Sequence, residues 1–213
     1  MKTETLRLYL VRHGITDWNQ AMRMQGQSDI PLNDEGRDQA QRVAARLSAA
    51  HPPIEAVWSS DLSRARETAE AIAAPLNLPI STTPLLREIM LGEWEGLTQP
   101  EIEARGEAEL LQRYRLSPAG QRPPGGETLE QAWGRMIRAR DEISQAHPAG
   151  QVAVVGHGGT LRALLCAALE APVSSMLRFS LSNASVSIID EIRTSESCIR
   201  RVLSVNDVAH LLC

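Results

Sequence analysis

Two histidines, each followed directly by glycine, are the residues of this sequence best placed to do chemistry. His13 comes after a short apolar run over residues 6–11, and His157 comes after another over residues 151–155. Such runs are typical of buried strands. Ligands of open α/β sheets bind beyond the carboxyl ends of the strands, and a glycine there lets a ligand approach the backbone. We therefore predict that both histidines lie at a binding edge, although either one alone is also compatible with a structural role.

Common nucleotide and metal motifs do not account for these histidines. Residues 156–159 (GHGG) do not continue to the glycine that a G-x-G-x-x-G motif needs, because position 161 is Leu161. No H-E-x-x-H motif occurs and no metal is predicted, although a mixed histidine and carboxylate site stays open. The other histidines lie in expected loops or near the end of the chain. We predict that these are solvated surface residues: His51, His147 and His210.

An arginine and a group of carboxylates supply further candidates. Arg64 falls in the first turn of a helix that Asp61 is expected to cap, where helix amides and a guanidinium suit an anion. Arg66 has the same chemistry two residues later, and the pattern does not choose between them. Three carboxylates lie near a turn, and each is either a general acid or a surface charge: Glu88, Glu93 and Glu95.

The segments that must position these residues alternate between strand and helix patterns. Asn33, Asp61 and the capping-box pair Thr128 and Gln131 each precede apolar residues at helical spacing, and a further helix is predicted over residues 160–169. This order predicts an α/β fold, a three-layer α/β/α sandwich around a mostly parallel sheet, whose last two strands form an antiparallel pair. The predicted strands cover residues 6–11, 54–58, 78–82, 151–155, 185–192 and 199–205.

Length and composition narrow the class of protein. The 213 residues suit a single domain, in which residues 92–126, approximately, are predicted to form a helical lid insertion. The net charge is −4 and the only lysine is Lys2, which excludes internal Schiff bases and P-loops and does not indicate nucleic-acid binding. No apolar stretch of about 18 residues predicts a membrane span, and no signal peptide is recognised. Three scattered cysteines are typical of a cytoplasmic protein.

Five sequence blocks, occurring in family order, resemble the signatures of the histidine phosphatase superfamily, in its phosphoglycerate mutase-like branch 1. The first block reads R-H-G-x-T-x-W-N, and the second reads S-x-L-x-R-A-x-x-T-A. Each block alone is weakly specific, but the five together are strongly so. They comprise residues 11–19, residues 59–69, Glu88 with residues 92–96, residues 124–128 and residues 156–159.

The resemblance implies a metal-independent phosphomonoesterase that hydrolyses small phosphate esters through a phosphohistidine, with no cofactor. It implies that His13 is the nucleophile and that Glu88, rather than the two later carboxylates, donates the proton to the leaving group. Two guanidinium forks and a cationic imidazole would stabilise the transferred phosphoryl group. The phosphate pocket would consist of Arg12, Arg64 (selected over Arg66) and His157.

Further site residues follow from the same resemblance. Neutral His13 requires that its second ring nitrogen donate to a backbone carbonyl. The expected substrate-binding residues are Asn19, Gln25, Gly26 and Gly158. Five residues of the expected lid are candidates for reaching the substrate, each with a solvated or core position as the alternative: Trp94, Arg113, Tyr114, Arg115 and Arg122.

Three departures separate the sequence from the bisphosphoglycerate-dependent mutases of this branch. Where the mutases have E-R-x-Y-G, residues 88–92 of this sequence are E-I-M-L-G. Where the mutases have H-G-N-S-L-R, residues 157–162 are H-G-G-T-L-R. The mutase lid also uses a lysine, which is missing here. We therefore favour a phosphatase, with a mutase or a non-catalytic binding module as alternatives. Family members include α-ribazole-5′-phosphate, phosphoserine and broad-specificity phosphatases. The sequence does not indicate which of these substrates the protein uses. It also does not predict an oligomeric state.

Overall fold

A mixed six-stranded sheet forms the centre of the protein, whose structure, a computed structural model, describes residues 3–116 and 120–212. The strands are Glu4–Arg12 (β1), Ala56–Ser59 (β2), Ile80–Thr82 (β3), Gly150–Gly156 (β4), Val186–Arg193 (β5) and Cys198–Asp207 (β6). Their order is β3-β2-β4-β1-β5-β6. The first four strands pair in parallel, whereas β5 is antiparallel to both β1 and β6. Every predicted strand is confirmed, as is the antiparallel pair at the end of the chain.

Helices cover both faces of this sheet. The α-helices are Asp17–Gln20 (α1), Asp34–Ser48 (α2), Ser63–Ala73 (α3), Gln99–Ile102 (α4), Ala108–Leu116 (α5), Leu129–Ala146 (α6) and Gly158–Ala168 (α7). One core cluster joins α2 and α3 to the sheet, and another joins α6 and α7 to it. The predicted three-layer α/β/α sandwich is therefore confirmed. The central strand β4 and the second half of β1 are buried on both faces, so their sequences are continuous apolar runs rather than alternating ones.

Two of the predicted helix starts are confirmed and one is wrong. Asn33 caps α2 by accepting from the amide of Gly36, and the capping box begins α6. Asp61 does not cap α3, because both of its carboxylate oxygens accept hydrogen bonds from Arg87, at 2.8 and 2.6 Å. Asp29 instead accepts from the backbone nitrogen and hydroxyl of Ser63, at 2.7 and 2.8 Å, at the start of α3.

Strand register brings the two histidine–glycine pairs to the same edge. Arg12 at the end of β1 lies opposite Gly156 at the end of β4. The backbone nitrogen of His13 donates to the carbonyl of Gly156 at 3.0 Å, so the two strands separate only beyond this point. His13 and His157 consequently leave adjacent parallel strands side by side.

The segment of residues 92–126 contains α4 and α5 and has a small core of its own. Trp94, Ile102 and Leu111 form this cluster and are almost completely buried. Gly106, with φ of 81°, kinks the chain between the two helices in a backbone conformation that favours glycine. Among the helices that the structure describes, none is long and apolar enough to cross a membrane.

The remaining histidines differ in exposure. His51 is exposed, as predicted. His147 and His210 are half-buried, so their prediction as solvated residues is wrong. The indole nitrogen of Trp58 donates to Nε2 of His147 at 3.1 Å, while His210 contacts the carbonyl oxygen of Ala184 at 3.0 Å. Both histidines are therefore held by tertiary contacts that a proline-flanked or terminal position does not reveal.

Candidate active site

The two histidines lie together in the interior at the carboxyl edge of the sheet. Their ring centroids are 5.1 Å apart, with an angle of 60° between the ring planes. His13 is 3% exposed and His157 is fully buried. A pair of buried imidazoles at this edge matches the sequence prediction for their position.

His13 is held as a neutral ring with one defined tautomer. Its Nδ1 lies 2.7 Å from the carbonyl oxygen of Gly14, an acceptor that requires the proton to be on Nδ1. Burial, followed by the charges of Arg64 and Arg12, lowers the pKa of His13 well below its ordinary value. The other nitrogen, Nε2, therefore keeps its lone pair at neutral pH.

Asn183 positions the backbone around His13 and was not found from the sequence. Its Nδ2 donates to the carbonyl oxygens of His13 and Gly14, at 3.2 and 3.3 Å, and to Oδ1 of Asn19 at 3.1 Å. The backbone nitrogen and hydroxyl of Thr16 also donate to this oxygen of Asn19. Asn19 thus lines the cavity with its acceptor already used, so its amide nitrogen is the group suited to a ligand. Asn183 belongs to no recognisable motif, because it lies far along the chain from the residues that it contacts.

Arg64 is a fully buried guanidinium held by backbone oxygens. It donates to the carbonyls of Ser28 and Gly26, at 2.7 and 2.8 Å, and from Nε to His157 Nδ1 at 3.2 Å. Burial lowers its pKa to about 10, so it stays charged at neutral pH. Arg66, by contrast, is exposed and pairs with Glu70. The structure therefore places Arg64, and not Arg66, beside the histidines.

Arg12 supplies a second positive charge, on a half-buried side chain. Its Nη1 donates to the carbonyl of Leu181, while Nε is buried without an acceptor among the described residues. Burial lowers the pKa of Arg12, Glu88 raises it, and Arg162 lowers it further. Within the described chain, neither Arg12 nor Arg64 forms an ion pair with a carboxylate. Their positive charges are therefore available to an anion.

His157 differs from the expectation of a cationic imidazole. Its Nδ1 accepts the hydrogen bond from Arg64, so the ring proton is on Nε2, which is buried and has no partner in the described part of the chain. Burial and the charges of Arg64 and His13 lower the pKa of His157 well below its ordinary value. The prediction that His157 adds a third positive charge to the site is wrong, because burial and the neighbouring charge of Arg64 disfavour protonation of its ring. It is a neutral donor instead.

Glu88 is fixed at the amino end of α7. Its Oε2 accepts from the amide of Gly159 at 2.9 Å, and its Oε1 accepts from those of Thr160 and Ile89, at 3.1 and 2.9 Å. A Cβ at Gly159 would collide with the carboxylate, so this close approach requires glycine. Of the three carboxylates that the sequence left open, only Glu88 lines the cavity.

The other two carboxylates have structural partners. Glu93 pairs with Arg105 at the surface. Glu95 accepts from the backbone nitrogens of Gln27 and Leu91, both at 3.0 Å, and from the hydroxyl of Ser28. It thereby connects the loop beneath Arg64 to the segment that follows Glu88.

These residues surround a cavity of about 250 Å³. The expected site residues His13, Arg12, Arg64 and Glu88 line it, whereas His157 lies behind them against His13 and Arg64. Gly158 packs beside the Arg12 side chain and does not line the cavity. The remaining lining residues are Asn19, Arg23, Met24, Gln25, Gly26, Ile89, Leu91, Tyr114, Gly159 and Arg162.

Of the five candidates in the 92–126 segment, only Tyr114 reaches the cavity. Trp94 is fully buried and its indole donates to Glu107, so it belongs to the core of the segment. The three arginines do not line the cavity: Arg113 pairs with Glu109, Arg115 bonds Gln99 and Arg122 lines a separate surface groove. No cluster of three or more metal-ligating side chains occurs among residues 3–116 and 120–212.

Comparison with known proteins agrees with this fold and site. Residues 8–203 match the family model of the histidine phosphatase superfamily (branch 1). A metal-independent phosphoserine phosphatase of Arabidopsis thaliana is 37% identical over 99% of this chain and 85% of its own length. A probable phosphoglycerate mutase GpmB of Proteus mirabilis is 39% identical over 87% and 85%. The native structure of a mycobacterial glucosyl-3-phosphoglycerate phosphatase has a TM-score of 0.85 and 31% identity, with coverage of 96% and 99%.

The chain therefore belongs to branch 1 of the histidine phosphatase superfamily. The phosphatases among its sequence relatives and structural neighbours support a phosphatase of the histidine phosphatase type.

Proposed function

We propose that this protein is a metal-independent phosphomonoesterase that hydrolyses small phosphate esters through a phosphohistidine on His13. The observation that carries the proposal is the charge of the cavity. A neutral imidazole lies there with two guanidiniums, the half-buried Arg12 and the fully buried Arg64, that form no ion pair within the described chain. Buried polar groups are normally paired, so uncompensated cations indicate an anionic ligand.

In the first step, Nε2 of His13 attacks phosphorus as the bond from phosphorus to the ester oxygen breaks. Arg12 and Arg64 bind the equatorial oxygens, with Nε2–H of His157 and the amide of Asn19 as neutral donors. The proton that the leaving alkoxide takes up comes from the carboxyl group of Glu88. Positioning and electrostatic stabilisation of this kind are the main requirements of phosphoryl transfer.

In the second step, water attacks the phosphohistidine on the face that the alcohol has left. Glu88, now a carboxylate, takes the proton from this water, and the nitrogen–phosphorus bond breaks to release inorganic phosphate and neutral His13. Glu88 is thereby protonated again for the next ester. The three backbone amides that hold its oxygens keep it in one place for both roles.

Hydrolysis rather than mutase transfer is the favoured outcome for this phosphohistidine. Arginines supply the positive charge of the cavity, and Leu91 occupies the position where the mutase pattern has tyrosine. The mutase-named relative makes phosphoryl transfer to a second substrate the alternative. Comparing inorganic phosphate release with 2-phosphoglycerate formation from 3-phosphoglycerate, with and without 2,3-bisphosphoglycerate, separates the two. Isomer formation much faster than phosphate release would establish the mutase.

The proposal is tested by phosphate release from a panel of esters that includes phosphoserine, 3-phosphoglycerate, α-ribazole phosphate and p-nitrophenyl phosphate. We expect turnover in excess chelator, because the guanidiniums provide the charge that a metal supplies elsewhere. Activity that disappears on chelation and returns only with added metal would contradict a metal-independent reaction. No release from any ester would contradict the proposed phosphatase activity.

A further inference from the structure

A short loop, residues 181–185, lies directly before β5 and contacts the residues at the end of β1. Nη1 of Arg12 donates to the carbonyl of Leu181, and the backbone nitrogen of Ala184 donates to the carbonyl of His13 at 3.1 Å. The loop therefore holds the side chain of a proposed phosphate-binding residue and the backbone of the proposed nucleophile. This segment is termed the positioning loop.

Asn183 is the residue of the positioning loop whose side chain bonds the site. Its amide faces the carbonyl oxygens of His13 and Gly14 and the side-chain oxygen of Asn19, at 3.2, 3.3 and 3.1 Å. A carbonyl oxygen can only accept, so the group of Asn183 that faces them is its NH₂. The carbonyl of Gly14 is also the acceptor for Nδ1 of His13. One amide thus contacts both the group that fixes the tautomer of the nucleophile and the side chain of Asn19.

The amide of Asn19 has a defined orientation. The backbone nitrogen and the hydroxyl of Thr16 lie 3.2 and 3.1 Å from one of its atoms, which is also the atom that faces Asn183. Because a backbone N–H can only donate, this atom is the oxygen Oδ1. Nδ2 has no acceptor among the described residues and is the donor left for the cavity that Asn19 lines. A reversed amide would point an oxygen at a bound phosphoryl group.

The C-terminal part of the chain holds the positioning loop in turn. Oδ1 of Asn206 accepts from the backbone nitrogen of Ser182 at 2.6 Å, and Nε2 of His210 lies 3.0 Å from the carbonyl oxygen of Ala184. These contacts fix the backbone on both sides of Asn183. The side chain of Asn183 is therefore presented from an anchored loop.

We propose that Asn183 is a positioning residue for phosphoryl transfer. It keeps Nδ2 of Asn19 directed at the transferred phosphoryl group and holds the carbonyl of Gly14 against Nδ1 of His13. Asn183 does not line the cavity, so it acts through these neighbours and not on the substrate. Donors that are oriented before the substrate binds stabilise the transition state without reorganisation. This inference rests on the proposed phosphatase function.

Two substitutions of Asn183 separate a donor from a side chain that only fills space. Aspartate has the shape of asparagine but presents an acceptor to three acceptor oxygens, which favours the reversed amide of Asn19. For p-nitrophenyl phosphate we expect kcat/KM to fall about 100-fold in Asn183→Asp and about 10-fold in Asn183→Ala. A side chain that only filled space would give the opposite order, because aspartate preserves the volume and alanine does not. That order would overturn the proposal.

Asn206→Asp is the matched control for the added negative charge. It introduces the same carboxylate beside the same loop but keeps an oxygen that accepts from Ser182. We expect kcat/KM to stay at the wild-type value in this variant. A loss as large as that in Asn183→Asp would assign the effect to charge near the cavity and would overturn the positioning role.

A double-mutant cycle tests whether Asn183 acts through Asn19. Asn19→Ala removes the side chain that Asn183 is proposed to orient. We expect Asn183→Asp to cost about 100-fold in the wild-type background and about 10-fold or less in the Asn19→Ala background. Equal factors in the two backgrounds would show that the residues act independently and would overturn the proposal. If thermal unfolding shows that Asn183→Asp does not fold, Asn183→Ala in the same cycle decides the question.

The positioning role and the phosphatase activity fail in different ways. Wild-type rates in Asn183→Asp would overturn the positioning role while leaving the phosphatase intact. An absence of hydrolysis of every ester by the wild-type protein, including p-nitrophenyl phosphate, would contradict the phosphatase itself.

Discussion

The guanidinium of Arg135 donates a hydrogen bond to the carbonyl oxygen of Glu88, with 3.1 Å between Nη2 and the oxygen. From its place on α6, Arg135 also donates to the carbonyls of Leu85 and Arg87, at 2.8 and 2.6 Å. Its remaining partner is the carboxylate of Glu127, which accepts in turn from the amide of Met90. One half-buried side chain thus fixes the backbone on both sides of the proposed proton donor.

Replacing this arginine should impair proton transfer to the leaving group more than other steps. For Arg135→Gln we expect kcat/KM for glycerol 3-phosphate to fall by about 10- to 100-fold, since small displacements of a catalytic group have effects of this size. The loss for p-nitrophenyl phosphate should be only a few-fold, because nitrophenolate departs without a proton.

Arg138→Gln, on the exposed face of the same helix, is the matched control and should leave both rates unchanged. A general structural defect predicts equal losses for the two esters. Equal losses in Arg135→Gln would therefore show that the arginine does not act through Glu88.

The ionisation of His13 gives a second prediction. Burial and the nearby arginines lower its pKa, so the ring should remain neutral at pH 6.5, with its proton on Nδ1. Histidine-ring NMR over a pH titration measures this directly, and His13→Gln identifies the signal. A His13 resonance that titrates at or above pH 6.5 would contradict the effect of these cations.

A buried ion-pair network far from the cavity should make stability depend on pH. Glu191 is fully buried and accepts from Arg193, Arg200 and the hydroxyl of Ser144, at 2.6, 2.8 and 2.7 Å. Burial alone would raise the pKa of Glu191, but these donors together lower it below the ordinary value. A carboxylate with a depressed folded pKa contributes stability above its unfolded pKa, and this is lost as the pH falls through the folded pKa.

Glu191→Gln should therefore lower the free energy of unfolding by about 2 kcal/mol at pH 7, since it leaves two arginines without their partner. The difference from the wild type should shrink as the pH falls below the ordinary glutamate range. Denaturant unfolding at several pH values measures it, with Glu196→Gln on the exposed turn as the control. A constant difference across that range would exclude the ionised carboxylate as its cause.

Sequence patterns predicted the parts of this protein that depend on local order. The histidine–glycine pairs end two apolar runs, and parallel register then brings Arg12 opposite Gly156. Comparison with a family pattern separated Arg64 from Arg66, which local chemistry did not do. In the structure, the side chain of Arg64 is buried and the side chain of Arg66 is exposed.

The parts that were missed depend on tertiary contacts. Asn183 and Arg135 act on backbone carbonyls, which have no sequence signature, and they lie far along the chain from those partners. Asp61 has the composition of a helix cap, but Arg87 binds it in the folded chain. The charge of His157 was wrong because only the structure shows that Arg64 donates to it.

Trapping the covalent intermediate tests the central claim most directly. The protein is mixed rapidly with an ester labelled in its phosphate, denatured in alkali, and digested so that the labelled peptide can be identified. We predict an acid-labile, alkali-stable phosphoryl group on His13, which is absent in His13→Ala and retained in a variant of the exposed histidine, His51→Gln. Label on another residue, or full ester hydrolysis by His13→Ala, would contradict the account.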